Sequence, residues 1–117
     1  MNGKGMGLKG ERAAARWLEE RGYRILARNF RSRIGEIDIV ASRENILVFC
    51  EVKTWNAYSE ADLSYAIGER KRFRIVETSK FFMERHREFK GMNVRYDVIL
   101  IQEGMRTIRS IESAFTE

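Results

Sequence analysis

Asp38, Glu51 and Lys53 are the residues of this chain whose types and spacing could do chemistry. The two acids stand on either side of Ser42-Arg43-Glu44-Asn45, a polar interruption between the apolar runs IGEIDIVA and ILVFCEVK. If Glu44 and Asn45 form a two-residue hairpin loop, Arg43 faces Ile46 and Asp38 falls directly across from Glu51. A four-residue loop gives the same pairing, whereas an odd-numbered loop sends the carboxylates to opposite faces unless a bulge corrects it. Alternation along the strand then puts Lys53 on the face of Glu51. Carboxylates so opposed destabilise a strand pair and raise one pKa, a conflict that a hard cation removes. Mg2+ takes oxygen ligands, commonly one or two carboxylates with waters and phosphate oxygens, and the Val52 carbonyl is a further candidate ligand. The chemistry such a set supports is metal-assisted attack of water on a phosphodiester. Lys53 would orient the water or balance charge growing on phosphorus. The plain alternative is a surface salt bridge between Lys53 and its acidic neighbours, worth little. The flanks IDIV and FCEV are too apolar for an ordinary solvated face and favour the site.

Glu11 points the same way from another segment. Leu8, Ala15 and Leu18, with Ala14 alongside, form a helical apolar stripe, and Glu11 fills its missing position. A glutamate aimed at a core is usually paired or functional; the alternative is a helix-start carboxylate favoured by the dipole. If this helix packs over the hairpin, Glu11 becomes a direct or water-mediated metal ligand. Glu36 shares the strand face of Asp38 and could bind metal, hold Arg33 or face water. Among the cations, Arg70, Lys71 and Arg74 belong to the run Glu69–Arg74, and Arg28, Arg31 and Arg33 form a second cluster. Such runs are more often solvated surface than binding site. Lys71, however, follows the crossover from the strand of Glu51, where phosphate contacts are useful. Trp55 and Tyr58, just past Lys53, could stack on splayed bases or equally cap the core.

Positioning these residues requires a helix and three strands in succession. Helix propensity runs from Leu8 to Arg21, with Gly22 as its stop and residues 1–7, carrying Gly3, Gly5 and Gly7, as a mobile arm. Strands are expected over Tyr23–Phe30, Ile34–Ala41 and Ile46–Lys53, the last central because it is most apolar. After a polar stretch, a long helix starts near Glu60 or Ala66 and ends at Phe89, before Gly91 and Asn93. Strands over Val94–Gln102 and Arg106–Ile111 complete the order α-β-β-β-α-β-β, an α/β domain with a mixed sheet flanked by helices. In the long helix Ile75, Val76, Ser79, Phe82, Met83, His86 and Phe89 share a mostly apolar face, which makes His86 structural. Asp97, in mid-strand, reads as a buried acid paired with an arginine.

The chain has 117 residues, 44% of them hydrophobic and 11% aromatic, enough for one self-sufficient domain and unlike a disordered segment. Lys and Arg number 22 against 17 Asp and Glu, for a net charge of +5, which favours anionic partners such as nucleic acid. Cys50 is the single cysteine and His86 the single histidine, which excludes an intrachain disulfide and a Cys/His zinc cluster. The opening MNGKGMGLKG has no apolar segment of a signal peptide, and no run of about 18 apolar residues occurs. A soluble cytoplasmic protein without membrane association is expected.

A helix Glu, a strand Asp and E-x-K on the next strand together resemble the PD-(D/E)XK nuclease superfamily. Asp38 and Glu51-Val52-Lys53 match its central motif, and Glu11 matches the helix acid of its Holliday-junction-resolvase-like branch. Over nearly its whole length the chain looks like the YraN family of small bacterial nuclease-like proteins. The matching segments are GERAAARWLEERGYRILARNFR, GEIDIVA, LVFCEVK, the Lys71 region, and RYDVILI with ESAF after it. The superfamily's Pro before the strand Asp is Ile37 here, a change that leaves the ligands undisturbed. The resemblance implies a restriction-endonuclease-like core with Mg2+ or Mn2+ at the acids. It further implies a metal-dependent nuclease acting on DNA, branched or single-stranded, and a homodimer by analogy with resolvases. Two other readings share that fold: a nucleic-acid-binding module without significant catalysis, and an interaction protein whose acidic site is vestigial.

Overall fold

The apolar run ILVFC lies at the centre of a five-stranded mixed sheet, and its Leu47, Val48, Phe49 and Cys50 are completely buried. A strand covered on both faces demands such a run. The computed structural model describes the backbone of residues 3–55, 67–102 and 107–117, with side chains from residue 10 onward and short of residue 55 in the first of these segments. The elements are α1 (Gly3–Glu20), β1 (Arg24–Arg31), β2 (Glu36–Arg43), β3 (Ile46–Trp55), α2 (Glu69–Arg85), a 3-10 turn (Arg87–Phe89), β4 (Asn93–Gln102) and β5 (Thr107–Phe115). The strands lie side by side in chain order; β3 and β4 are parallel and every other pair is antiparallel. A parallel pair cannot be closed by a hairpin, and the crossover that closes this one contains α2.

Among the described residues, one helix packs on each face of the sheet. Ala14, Ala15 and Leu18 of α1 pack on Ile39, Ala41, Val48, Cys50 and Ile99. Ile75, Val76 and Phe82 of α2 pack on Val40, Leu47, Phe49, Tyr96, Val98 and Leu100. Phe82 meets Phe30 and Phe49 edge-on and stacks on His86 at 4.1 Å between ring centres, so His86 is an aromatic plate of this packing, as its helical face implies. The order α-β-β-β-α-β-β and the flanked mixed sheet are those of a restriction-endonuclease-like core. No described helix is long and apolar enough to cross a membrane.

The boundaries depart most from the sequence expectation in three places. α1 begins at Gly3 and takes in Gly3, Gly5 and Gly7, which composition assigns to an arm; a helix anchored by buried Ala14, Ala15 and Leu18 propagates backward cheaply once nucleated. It closes where expected, with Gly22 at φ +89° and the Tyr23 N–H donating to the Leu18 carbonyl at 3.0 Å. α2 starts at Glu69 and stops at Arg85, handing residues 87–89 to the 3-10 turn, while Glu60 and Ala66 lie outside the described residues. β5 continues past Ile111 because Phe115 stacks on Tyr96 at 5.2 Å and is buried there.

Candidate metal centre

β2 and β3 pair from Arg43↔Ile46 to Ile39↔Cys50, the register an even hairpin loop dictates, with Glu44 turning the chain at φ +53°. Asp38 opposite Glu51 would be the next pair, and there the ladder stops. Ile37 belongs to the α2-side core and Ile39 to the α1-side core, although alternation places residues two apart on one face. β2 therefore turns over at Asp38. β1 turns at the same level: Asn29, at φ +52°, lies between Arg28, which pairs with Ile39, and Phe30, which pairs with Ile37. With the strands parted, the Asp38 carboxylate takes the place of a ladder partner and accepts the Val52 N–H at 2.8 Å. The N–H and C=O of one strand residue point to the same side, so the Val52 carbonyl is directed into the same gap.

Glu51 and Lys53 both lie on the α2 side of β3 at this corner. They pair with Val98 and Leu100 of β4, both in the α2-side core. Glu51 is only 5% exposed, and the cation it meets is Lys71 of α2, with Nζ at 2.6 Å. The salt-bridge alternative through Lys53 is thus corrected: the cation that Glu51 meets comes from a distant helix, and it is Lys71, the residue expected to serve phosphate. Asp38 feels these neighbours strongly. Burial first, and then the charge of Glu51, push its carboxyl up to about 7, against the opposing pull of the Val52 N–H and Lys71.

Glu11 approaches from α1. Its Oε1 is buried without a hydrogen-bond partner, an unusual state for a carboxylate oxygen. Burial raises its pKa most, the charges of Asp38 and Glu36 raise it further, and a hydrogen bond from the Asn29 side chain and the charge of Arg28 oppose them. Among the described residues no three acidic, His or Cys side chains stand close enough to hold a metal as they are. The donors nevertheless fit a hard cation: they are all oxygen, they carry excess negative charge, and one of them has no other partner. An ion closing on these donors would compete with Lys71 for Glu51.

The remaining candidates are distributed around this corner. Glu36 pairs with Arg31 at 3.3 Å rather than with Arg33. Arg33, Arg70 and Arg74 are exposed and Lys53 is half-buried. The β1–β2 turn docks on α2, where Ser32 Oγ and Thr78 Oγ1 share a hydrogen bond of 2.9 Å and Gly35 abuts Arg74, so the turn that carries Arg33 sits against the helix that carries Arg70 and Arg74. Trp55 ends β3 with its side chain outside the described residues, and Tyr58 lies outside them entirely. Asp97 is buried and paired with Arg95 at 2.8 Å, as expected, away from the corner. Sequence reasoning passed over Asn29. Its signal was an asparagine inside the strand run YRILARNF, a residue type that tolerates positive φ.

Comparison with known proteins gives a consistent family. The model of "Uncharacterised protein family UPF0102" matches residues 10–101. A UPF0102 protein of Treponema pallidum (strain Nichols) is 48% identical over 97 residues, covering 83% of this chain and 77% of the relative. One from Lachnoclostridium phytofermentans is 40% identical over 116 residues, covering 98% of each. The matched segment contains Glu11, Asp38, Glu51, Lys53 and Lys71.

Proposed function

The chain belongs to the UPF0102 family, and from the corner it builds we propose a metal-dependent nuclease of the PD-(D/E)XK type that hydrolyses phosphodiester bonds in DNA. The observation that carries this reading is Asp38. It sits at the point where β2 leaves β3, raised to about 7 by burial and Glu51, beside a Val52 carbonyl directed into the same opening. Carboxyls perturbed by burial together with a specific charged neighbour cluster at functional sites. Mg2+ or Mn2+ fits the oxygen set of Asp38, Glu51, Glu11 and the Val52 carbonyl. When bound, it would supply Lewis acidity toward a phosphate oxygen and water.

The chain's own residues supply the rest. Lys53 lies two residues beyond Glu51 on the same face, placed to orient an attacking water or to balance charge on the phosphoryl oxygens. Lys71, once released from Glu51, becomes a cation for a phosphate at the same place. Arg70, Arg74, Arg31 and Arg33 would hold the flanking backbone, a contact that fixes position without reading sequence. The setting is cytoplasmic, and a homodimer follows from resolvase analogy.

The Lys71–Glu51 contact at 2.6 Å favours a second reading, a nucleic-acid-binding module of the same fold whose acids are permanently neutralised. Incubation with linear, nicked, flapped and four-way DNA in Mg2+ or Mn2+ separates the two. Cleavage that disappears in Asp38→Ala and in Lys53→Ala supports the nuclease; binding without cleavage by the intact protein supports the module.

A further inference from the structure

The turn joining β1 to β2 is unusually well fixed for a surface loop. The Ser32 N–H donates to the Gly35 carbonyl at 2.8 Å, and Ser32 Oγ accepts the N–H groups of Ile34 and Gly35 at 3.1 and 3.2 Å. The same hydroxyl is tied to Thr78 of α2, which is fully buried. Gly35 permits the approach, since a Cβ there would stand 3.0 Å from Cβ of Arg74. This scaffold presents Ile34 to solvent, 50% exposed, beside Arg33 and close to Arg31. Phe73 of α2 is also exposed, at 62%, but as the helix neighbour of Arg74 it points to a different side from the turn.

Exposed apolar residues scattered singly need no explanation. Here a rigid support carries one of them among arginines, at a fixed distance from the acids. Asp38 is four positions on from Ile34, at most about 14 Å of chain, or about four steps of a nucleic-acid strand. Apolar side chains framed by arginine are the means by which proteins enter a base step, and entry is cheapest where stacking is already interrupted.

Resting on the nucleic-acid reading above, we infer that the Ser32–Gly35 turn, with Ile34 at its tip, is a wedge that enters an interrupted base step and sets where on a duplex this protein sits. Its ligand is a duplex with a break in stacking, and the arginines hold the backbone on either side. Continuous duplex meets the arginines but gives Ile34 nothing to enter.

The test uses the full chain in EDTA, where no strand is cut, with two duplexes of one sequence, one continuous and one nicked, each carrying 2-aminopurine at the step beside the nick position. The expected result is a rise in 2-aminopurine fluorescence on the nicked duplex and a preference of about tenfold for it, or about 1.4 kcal/mol. Ile34→Ser should abolish both while changing affinity for continuous duplex less than about twofold, because its phosphate contacts remain. Ile34 is exposed, so the variant keeps its fold. Retention of the fluorescence rise and the preference in Ile34→Ser overturns the wedge. Equal binding of both duplexes by the intact protein also overturns it while leaving the nucleic-acid reading standing. No binding of either overturns both.

Discussion

Replacing Asp38 by Asn should stabilise the metal-free protein at pH 8 and leave it unchanged at pH 4. Burial, and then Glu51, raise the Asp38 carboxyl from 3.8 to about 7. Between those values the native protein keeps a proton that the unfolded chain has lost. The associated stability is therefore fully present below the unfolded value and is lost as pH climbs to about 7. At about 1.36 kcal/mol per unit, a shift of about three units corresponds to about 4 kcal/mol. Asparagine keeps an oxygen for the Val52 N–H and carries no charge, so it escapes that loss. Urea denaturation in EDTA from pH 4 to 8 should show the variant's advantage growing from near zero to about 4 kcal/mol, or about 10–15 °C in Tm. Mg2+ should reverse the order above pH 7 by stabilising the wild type alone, with its affinity falling about tenfold per pH unit below that as protons compete for the carboxylate. Identical urea midpoints at pH 8 in EDTA, or a less stable Asp38→Asn, would refute the reasoning: the ionised carboxylate would then cost nothing where it sits.

Other substitutions probe the surroundings. Lys71→Met leaves Glu51 buried without its cation and should cost about 2 kcal/mol in EDTA, less than for a fully buried pair because the Lys71 side chain is 46% exposed. Urea titrations should show Mg2+ restoring more stability to this variant than to the wild type. Asp97→Asn removes the carboxylate that receives two nitrogens of Arg95 and should lower stability by about 3 kcal/mol, measured by thermal melting. Gly35→Ala places a Cβ 3.0 Å from that of Arg74 and 3.3 Å from Thr78 Oγ1. It should cost about 1–2 kcal/mol, and faster hydrogen exchange at the Ile34 amide should accompany the loosened turn.

What could be seen in the sequence was what local rules determine. The even loop at Glu44-Asn45 made the β2–β3 register legible, and the missing apolar position at Glu11 aimed that acid inward. The helical face around Phe82 made His86 structural, and the isolation of Asp97 among apolar residues marked it as paired. Long-range packing decided the rest. Nothing local distinguishes Lys53 from Lys71 as the partner of Glu51, since that depends on where the crossover sets α2. Strict alternation also hides the turnover of β2 at Asp38, because Ile37 and Ile39 look identical in a pattern yet serve opposite cores. The start of α1 was missed because three glycines outweighed a helix whose stability comes from packing further along.

The position of the crossover orders events in folding. Glu11, Asp38 and Glu51 all precede it, and α1, β1, β2 and β3 join through short connections between chain neighbours. Lys71 arrives only when the parallel β3–β4 pairing closes a long loop, the slower kind of step. A chain made from its N-terminus therefore gathers its acids before it supplies their internal cation. If the corner binds a cation as proposed, an ion captured at that stage would meet open carboxylates, whereas one arriving later would compete with a lysine already seated. Loading during synthesis or afterwards would then be a question of rates as well as affinity.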